Sequence, residues 1–306
     1  MAESFASQDP GTGAKFAKST KRIINKDGSF NVIRDGAKFR LNDKYLFFIN
    51  ISWSKFFLLL LGGFIGANLI FACLYIASGP DGLSQSENLD LSDRILHAFY
   101  FSAQTFTTVG YGAISPTSNL TNLIASFEAF VGFLSFALAT GLLFGRFSKP
   151  NARIRFSKNV VLSEINGVTA LLFRVVNDRS NSLMEVEARV LLAEINREKD
   201  GSVFRQYHKL NLQIDAIEFF PLTWTIVHPI DSNSPLHGKS IKDISTSSSE
   251  LLIHIKGFDD VFSQTVHQRF SYLLNESKVD KKFKRAFKTD SDGNIILSLD
   301  EIDAFE

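Results

Sequence analysis

Six consecutive residues in the first half of the chain have the types needed to replace the water around a cation. They read Thr107-Thr108-Val109-Gly110-Tyr111-Gly112. Backbone carbonyls aimed at a common axis, together with the Thr108 hydroxyl, can take the place of the water oxygens around a potassium ion. This arrangement requires unusual backbone angles, which Gly110 and Gly112 adopt without steric cost. The motif therefore predicts a K⁺ selectivity filter over residues 108–112.

One loop of this kind supplies only part of a ring around the ion. Four copies of the chain are implied, most simply as a homotetramer with fourfold cyclic symmetry. The side chains of Val109 and Tyr111 would point outward and brace the filter. A helix directly before the motif would direct the negative end of its dipole at the ion path.

Two long apolar runs surround the motif and are long enough to cross a membrane. They cover residues 56–77 and 120–147, and a span needs about 20 apolar residues. A third apolar segment, residues 95–107, is too short to span, which suits a re-entrant pore helix. We therefore expect a transmembrane pore domain over residues 53–149, with its outer helix at 53–77 and its inner helix at 120–147.

The distribution of charge predicts how this domain is oriented. Lysine and arginine are dense before the first apolar run and directly after the second, whereas the loop between the runs is mostly acidic. The positive-inside rule then places both termini in the cytoplasm. Residues 1–42 are polar and basic without an apolar signal segment, so we expect a partly disordered cytoplasmic arm. Residues 43–52 are aromatic and form either an interfacial slide helix or the start of the outer helix.

Residues 150–306 change to the period-two pattern of β-strands. Strand-like runs on both sides of Asn166-Gly167 predict a hairpin, and Asp200-Gly201 predicts a second turn. Further strand candidates follow without long helices between them, which indicates an all-β sandwich. The expected fold class is therefore membrane α plus all-β.

The filter, the two-helix layout and the β-rich part together resemble the prokaryotic inward-rectifier potassium channels, from about residue 38 to the C-terminus. The resemblance implies a homotetramer in the bacterial inner membrane, with K⁺ as the permeant ion and no cofactor. It also implies an immunoglobulin-like cytoplasmic domain that extends the pore. The further stretches that carry the resemblance are residues 50–53, 131–132, 140–150, 171–177, 185–189, 224–231 and 234–236.

Several residues are candidates for opening and closing the pore. The family has a bulky residue near the cytoplasmic end of the inner helix, which makes Phe144 the candidate gate; the alternative is a phenylalanine facing lipid or another helix. Gly257 and Phe258 match the family's cytoplasmic constriction, and the alternative is an ordinary β-turn. Gly132 and Gly141 are either hinges of the inner helix or sites of close packing.

Four basic residues predict modulation by lipid. Lys55, Arg146, Lys149 and Arg153 would lie at the inner membrane surface, where each basic residue near anionic lipid contributes about 1 kcal/mol. The alternative is that these residues only set the orientation. With the resemblance, we expect an anionic phospholipid or phosphoinositide to change activity, with the sign of the effect left open.

The inner-helix cavity differs from that of strong rectifiers in the family. By alignment of motifs it contains Ser135, Phe136 and Thr140, and Phe136 occupies the position of an acidic residue in strong rectifiers. Similarly, Gln104 stands where many relatives have a glutamate in the pore helix. The missing charge predicts that polyamines or Mg²⁺ block the pore only weakly.

Other functions receive less support. The 306 residues have a net charge of +1, so composition does not indicate a nucleic-acid partner. No nucleophile–base or metal-ligand arrangement indicates an enzyme, and no Arg-rich helix indicates a voltage sensor. Asp290, Asp292, Asn294 and Glu301 mimic the spacing of an EF-hand, but the glycine is misplaced and a hairpin turn at Asp292-Gly293 is favoured. A membrane-anchored binding module with a non-conducting stem would have no need of the intact filter motif.

Overall fold

The computed structural model divides the chain into two compact units. It describes residues 9–13, 15–16, 22–33, 35–36, 43–87, 89–150, 152–197 and 203–306. The membrane unit comprises residues 36–149, and the β unit comprises residues 1–35 and 150–306. Much of the expected arm at 1–42 and the turn expected at Asp200-Gly201 lie outside the described residues.

The described part of the membrane unit contains four α-helices: α1 (Asp43–Asn50), α2 (Trp53–Ala77), α3 (Leu91–Phe106) and α4 (Asn119–Phe147). Among the described residues, α2 and α4 are long and apolar enough to cross a membrane. At 1.5 Å per residue they measure about 37 Å and about 43 Å. α3 measures about 24 Å, which is less than the bilayer's hydrocarbon core of about 30 Å. The unit thus has two candidate spans and one short helix between them.

Hydrogen-bonded caps determine where two of these helices begin. The carboxylate of Asp90 accepts a hydrogen bond from the amide of Asp93, so α3 begins at Leu91 and not at residue 95 as expected. Ser118 and Thr121 bond each other's backbone in a capping box, and α4 begins directly after Ser118. Both caps are local polar contacts, whereas the expected start of α3 rested on its apolar run.

The aromatic segment before the outer helix is a separate helix. α1 ends at Asn50 and α2 begins at Trp53, with Ser52 in extended conformation between them. The alternative, in which these residues begin the outer helix, is therefore wrong. Three large side chains of α1 are exposed in the single chain, namely Tyr45, Leu46 and Phe47.

The core of the membrane unit lies where α2, α3 and α4 meet. Phe71, Ala72 and Tyr75 of α2 are buried against Ala98 and Phe101 of α3. Most other apolar side chains of α2 and α4 are exposed in the single chain. An apolar surface of this extent is covered in a membrane by lipid or by neighbouring subunits.

The β unit consists of two main sheets and a separate hairpin. A short helix, α5 (Ile241–Thr246), interrupts its strands. In chain order the strands are β1 (Lys15–Phe16), β2 (Ile154–Phe156), β3 (Val161–Ile165), β4 (Val168–Asn177), β5 (Leu183–Arg197), β6 (Val203–Leu210), β7 (Ala216–Phe219), β8 (Trp224–Pro229), β9 (Glu250–Asp259), β10 (Gln264–Leu273), β11 (Lys278–Val279), β12 (Phe287–Thr289) and β13 (Ile295–Leu297).

The two main sheets face each other across one core. The first sheet has the order β1-β6-β5-β9-β10, with β7 also paired to β5, and the second has the order β11-β3-β4-β2, with β8 paired to β4. Side chains from both sheets are fully buried between them, including Leu162, Phe173, Leu192, Ile253 and Tyr272. The predicted all-β sandwich is confirmed.

Two turns predicted from dipeptides are present. Asn166 and Gly167 join β3 to β4, with φ of 52° and 80°, which are the positive angles of a type I′ hairpin turn. The hairpin of β12 and β13 turns at Asp292-Gly293. Within it the carboxylate of Asp290 accepts hydrogen bonds from Asn294, so the EF-hand spacing belongs to a β-hairpin.

Part of the N-terminal arm packs on the β unit. Ile23 and Ile24 are buried against the outer face of the first sheet, beside Tyr207 and Leu252. Their backbone amides donate to the carboxylate of Glu250, the first residue of β9. This section of the arm is therefore part of the β unit, a contact that composition alone did not predict.

Candidate functional site

The predicted filter follows directly from the C-terminal end of α3. The amides of Val109 and Gly110 both donate to the carbonyl of Gln104, at 3.0 Å and 3.2 Å. Thr108, Gly110 and Gly112 have φ of 59°, 53° and 82°. Every second residue thus has left-handed backbone, and such alternation turns successive peptide groups to the same side of the chain. The positive φ of Thr108 is unusual for a threonine and was not expected from the glycine positions.

The exit of the loop is fixed to the segment that follows the outer helix. The Ser115 amide donates to Ser84 Oγ at 2.9 Å, and the Ser84 amide donates to the Ser115 carbonyl at 2.8 Å. Gln85 Nε2 donates to the Ala113 carbonyl at 3.2 Å. The loop is consequently held at both ends, by α3 on one side and by residues 84–85 on the other.

One face of the inner helix presents the candidate cavity and gate residues. Phe136, Thr140 and Phe144 are spaced four residues apart in α4, which places them on one face. Phe136 is 75% exposed and Phe144 is 73% exposed, while Ser135 is half-buried. The Thr140 hydroxyl donates to the Phe136 carbonyl at 2.9 Å. This face has aromatic rings and hydroxyls but no ionised side chain.

The two glycines of the inner helix have different surroundings. A Cβ built on Gly132 would lie 2.0 Å from the carbonyl oxygen of Phe106 at the end of α3. A Cβ built on Gly141 would meet nothing within 4 Å. α4 is continuous through both positions. The backbones of α4 and α3 therefore touch at Gly132, whereas no group in the part of the chain that the structure describes comes close to the Cβ position of Gly141.

The guanidinium of Arg146 is enclosed by the segment that joins α1 to α2. Its Nη1 and Nη2 atoms donate to the carbonyls of Phe48, Ile49 and Ile51, the last at 2.8 Å. Its Cζ lies 4.4 Å from the ring centre of Trp53, a cation–π contact. Arg146 was expected to bind lipid, yet three backbone carbonyls already accept from its Nη1 and Nη2 atoms. Its buried Nε has no hydrogen-bond partner among the described residues.

The other expected lipid-binding residues are more accessible. Lys55 and Lys149 are exposed in the membrane unit, and Lys149 Nζ lies 2.5 Å from Asn50 Oδ1 at the end of α1. Arg153 belongs to the β unit and is also exposed. The structure thus separates the four basic residues into one enclosed arginine and three accessible side chains.

Sequence reasoning overlooked an acidic side chain inside the membrane unit. Glu128 of α4 is fully buried, and Tyr75 of α2 and Ser102 of α3 both make hydrogen bonds to its carboxyl group. Ser102 also lies 2.9 Å from Asn68 of α2. An ionisable residue within an apolar span was the available signal, because such residues are costly and usually face polar partners.

The candidate constriction residues belong to a strand. Gly257 and Phe258 pair with Val266 and Thr265 in the ladder of β9 and β10, and the turn follows at residues 260–263. The β-turn alternative is therefore wrong. A Cβ on Gly257 would lie 3.0 Å from Val186 Cγ2 of β5, so glycine allows two strands to pack closely at this point.

Two titratable side chains of the β unit, His228 and Glu187, have partners within it. Burial lowers the pKa of His228, whose Nδ1 lies 2.6 Å from the Asn211 carbonyl and whose Nε2 lies 2.8 Å from Ser234 Oγ. Because a carbonyl only accepts, Nδ1 carries the proton of a neutral ring. A hydrogen bond from Lys256 lowers the pKa of Glu187. These contacts give His228 a structural role in the β unit.

Comparison with known proteins covers both units. A profile described as "Ion channel" matches residues 54–149, and one described as "Inward rectifier potassium channel C-terminal domain" matches residues 154–305. The Inward rectifier potassium channel Kirbac3.1 of Paramagnetospirillum magnetotacticum is 35% identical over 94% of this chain and 96% of its own length. Inward rectifier potassium channel 18 of Homo sapiens is 26% identical over 83% of this chain and 64% of its own length.

A solved structure of Spo0M from Bacillus subtilis shares 7% identity over 43% of this chain and 50% of its own, with a TM-score of 0.25. That value is too low to indicate a common fold.

The identity to the bacterial relative, over nearly the full length of both chains, decides the family assignment. The function of this chain is accordingly that of an ion channel and not of an enzyme. The chain belongs to the inward rectifier potassium channel family.

Proposed function

We propose that residues 108–112 form the K⁺ selectivity filter of this channel, with K⁺ bound at the carbonyls of Thr108, Val109, Gly110 and Tyr111. The observation that carries this proposal is the alternation of positive φ from Thr108 to Gly112 at the end of α3. Peptide carbonyls turned to one side replace the hydration shell of a passing ion. The C-terminal end of α3 adds a negative dipole directed at the same point.

The filter requires four copies of the chain around one axis. Val109 is 53% exposed and Tyr111 is 79% exposed in the single chain, although both are apolar or aromatic. A neighbouring subunit would cover these side chains and brace the filter from outside. We therefore assign a homotetramer with fourfold symmetry, in which the exposed faces of α2 and α4 are shared between subunits and lipid.

Within this tetramer, the face of α4 with Phe136, Thr140 and Phe144 lines the ion path. Four copies of Phe144 close the pore by excluding water, and Ser135, Phe136 and Thr140 form the cavity above it. Gly141 is the candidate hinge because no group contacts it, and Gly132 acts by close packing. Gly257 and Phe258, which lie in strand β9, remain the candidate cytoplasmic constriction.

Anionic lipid modulates the channel through its basic residues. Lys55 and Lys149 are accessible, so they contact a phospholipid or phosphoinositide headgroup, and Arg153 contributes charge from the β unit. Arg146 acts indirectly, by holding the junction between α1 and α2. The positive-inside rule places these residues, the slide helix α1 and both termini on the cytoplasmic side of the bacterial inner membrane.

The filter is tested by ion flux into liposomes that contain the purified protein. Rb⁺ and K⁺ should enter while Na⁺ should not, and Ba²⁺ should block. Gly110→Ala should abolish selective flux because alanine does not readily adopt the φ of 53°. Gly79→Ala is the matched control, since Gly79 has φ of 102° outside the filter. Equal Na⁺ and Rb⁺ flux in the unmodified protein would refute the assignment.

A further inference from the structure

The buried carboxyl group of Glu128 takes part in a chain of oxygen–oxygen contacts across three helices. Tyr75 Oη lies 2.6 Å from Glu128 Oε2, and Ser102 Oγ is hydrogen-bonded to Glu128 Oε1. Ser102 Oγ lies 2.9 Å from Asn68 Oδ1. The orientation of the Asn68 amide is fixed, because its Nδ2 donates to the Phe64 carbonyl at 2.7 Å and a carbonyl only accepts.

The number of protons available to these contacts depends on the ionisation of Glu128. Three oxygen–oxygen contacts need three protons, and Tyr75 and Ser102 supply one each. If Glu128 were a carboxylate, one contact at hydrogen-bond distance would join two acceptors without a proton. A carboxylic acid supplies the third proton, and every contact then has one donor. Among the described residues, no lysine, arginine or histidine forms an ion pair with Glu128.

We propose that Glu128 is a neutral carboxylic acid that donates to Ser102, and that the chain from Glu128 through Ser102 to Asn68 positions the pore helix for K⁺ selection. In this chain Glu128 donates to Ser102, Ser102 donates to Asn68, and Asn68 donates to the Phe64 carbonyl. Tyr75 donates to the second carboxyl oxygen. α2, α3 and α4 are thereby connected without a buried charge, which would be costly to remove from water.

The same turn of α3 holds the beginning of the filter. Ser102 precedes Gln104 by two residues, and the Gln104 carbonyl accepts the amides of Val109 and Gly110. A shift of this turn therefore moves both amides together. Gly132 touches Phe106 one turn further along α4 and α3, so Glu128 and Gly132 locate the pore helix at two points. Glu128 is accordingly a positioning residue for selectivity, an inference that rests on the proposed assignment of the filter.

Three variants separate a neutral donor from an anion. Glu128→Gln keeps a neutral donor for Ser102 and an acceptor for Tyr75, so we expect the Rb⁺-to-Na⁺ flux ratio to stay within about twofold of the unmodified channel. Glu128→Leu has neither group, and we expect the ratio to fall by about tenfold or more. Ser102→Ala interrupts the chain without changing Glu128, and we expect a similar fall.

Infrared spectroscopy of the liposome-reconstituted tetramer provides a readout that does not depend on flux. The unmodified channel should show the C=O band of a protonated carboxylic acid that is missing from Glu128→Gln. If the band missing from Glu128→Gln is that of a carboxylate, Glu128 is an anion and the proposal is overturned. The proposal is also overturned if Glu128→Gln is as unselective in flux as Glu128→Leu. If Glu128→Leu fails to assemble, Ser102→Ala decides, and a wild-type flux ratio there would refute positioning. Unselective flux in the unmodified channel would refute the filter assignment while leaving the infrared result intact.

Discussion

Replacing Gly132 with alanine tests how closely the inner helix must approach the pore helix. The added Cβ would lie 2.0 Å from the Phe106 oxygen and 2.8 Å from its carbonyl carbon, so the helices must separate by about 1 Å to restore a normal contact. Both obstructing atoms are backbone and cannot rotate away. Overpacking of this kind lowers the free energy of unfolding by about 1–3 kcal/mol. The higher helix propensity of alanine raises it by about 1 kcal/mol. We expect a net loss of up to about 2 kcal/mol per subunit.

Gly141→Ala is the matched control because it makes the same change in the same helix without a contact. It should stabilise the chain by up to about 1 kcal/mol. Thermal unfolding of the purified protein in detergent measures both variants, and Rb⁺ and Na⁺ flux measures selectivity. Gly132→Ala should unfold at a lower temperature and lose selectivity, since the displacement falls on Phe106 beside the filter. A wild-type midpoint and flux ratio for Gly132→Ala would refute the close contact. Reduced flux in Gly141→Ala without a loss of stability would support the hinge at this position.

Three further predictions concern pH, lipid and block. The pKa of His228 is lower in the folded chain than in the unfolded chain, so the unfolded chain binds the proton first as the pH falls. The contribution of His228 to the free energy of unfolding is therefore complete above about pH 6.5 and decreases as the pH drops towards 5. His228→Asn should flatten this slope in thermal melts from pH 7 to 5, and an unchanged slope would assign it to other groups. Replacing Lys55 and Lys149 together with glutamine should raise the phosphoinositide concentration that gives a half-maximal flux response by about ten- to thirtyfold. Arg146→Lys should keep that response and alter basal flux, because an ammonium does not reproduce the planar fork that reaches the carbonyls of Ile49 and Ile51 and stacks on Trp53. Spermine on the cytoplasmic side should block only weakly in planar bilayers, and Phe136→Asp should strengthen the block by about tenfold or more; steep micromolar block of the unmodified channel would contradict this.

Patterns that are local in sequence predicted most of the fold. The apolar runs fixed both candidate spans, because crossing a membrane requires a continuous apolar segment of known length. Asn166-Gly167 predicted its hairpin, because a tight turn needs positive φ at two successive residues. The start of α3 was misplaced by four residues, since the cap at Asp90 is a polar contact outside the apolar run.

Contacts between distant residues were not predictable in the same way. The role of Arg146 depends on carbonyls about one hundred positions earlier in the chain, so its charge alone indicated only lipid. Gly257 and Phe258 looked equally suited to a turn, and only pairing with β10 shows that they are extended. The choice between hinge and packing at Gly132 depended on Phe106, which no pattern within α4 reveals.

The discontinuity of the β unit has a consequence for biosynthesis. Residues made before the membrane unit complete its first sheet, because β1 pairs with β6, and the amides of Ile23 and Ile24 bond to the side chain of Glu250. In topological terms the pore is an insertion within a folded domain. Early and late segments meet only on the same side of the bilayer, which requires an even number of crossings. A nascent chain therefore cannot finish this domain until the ribosome has made both spans and the strands that follow them. Its N-terminal segment has no partner strand to pair with before that point.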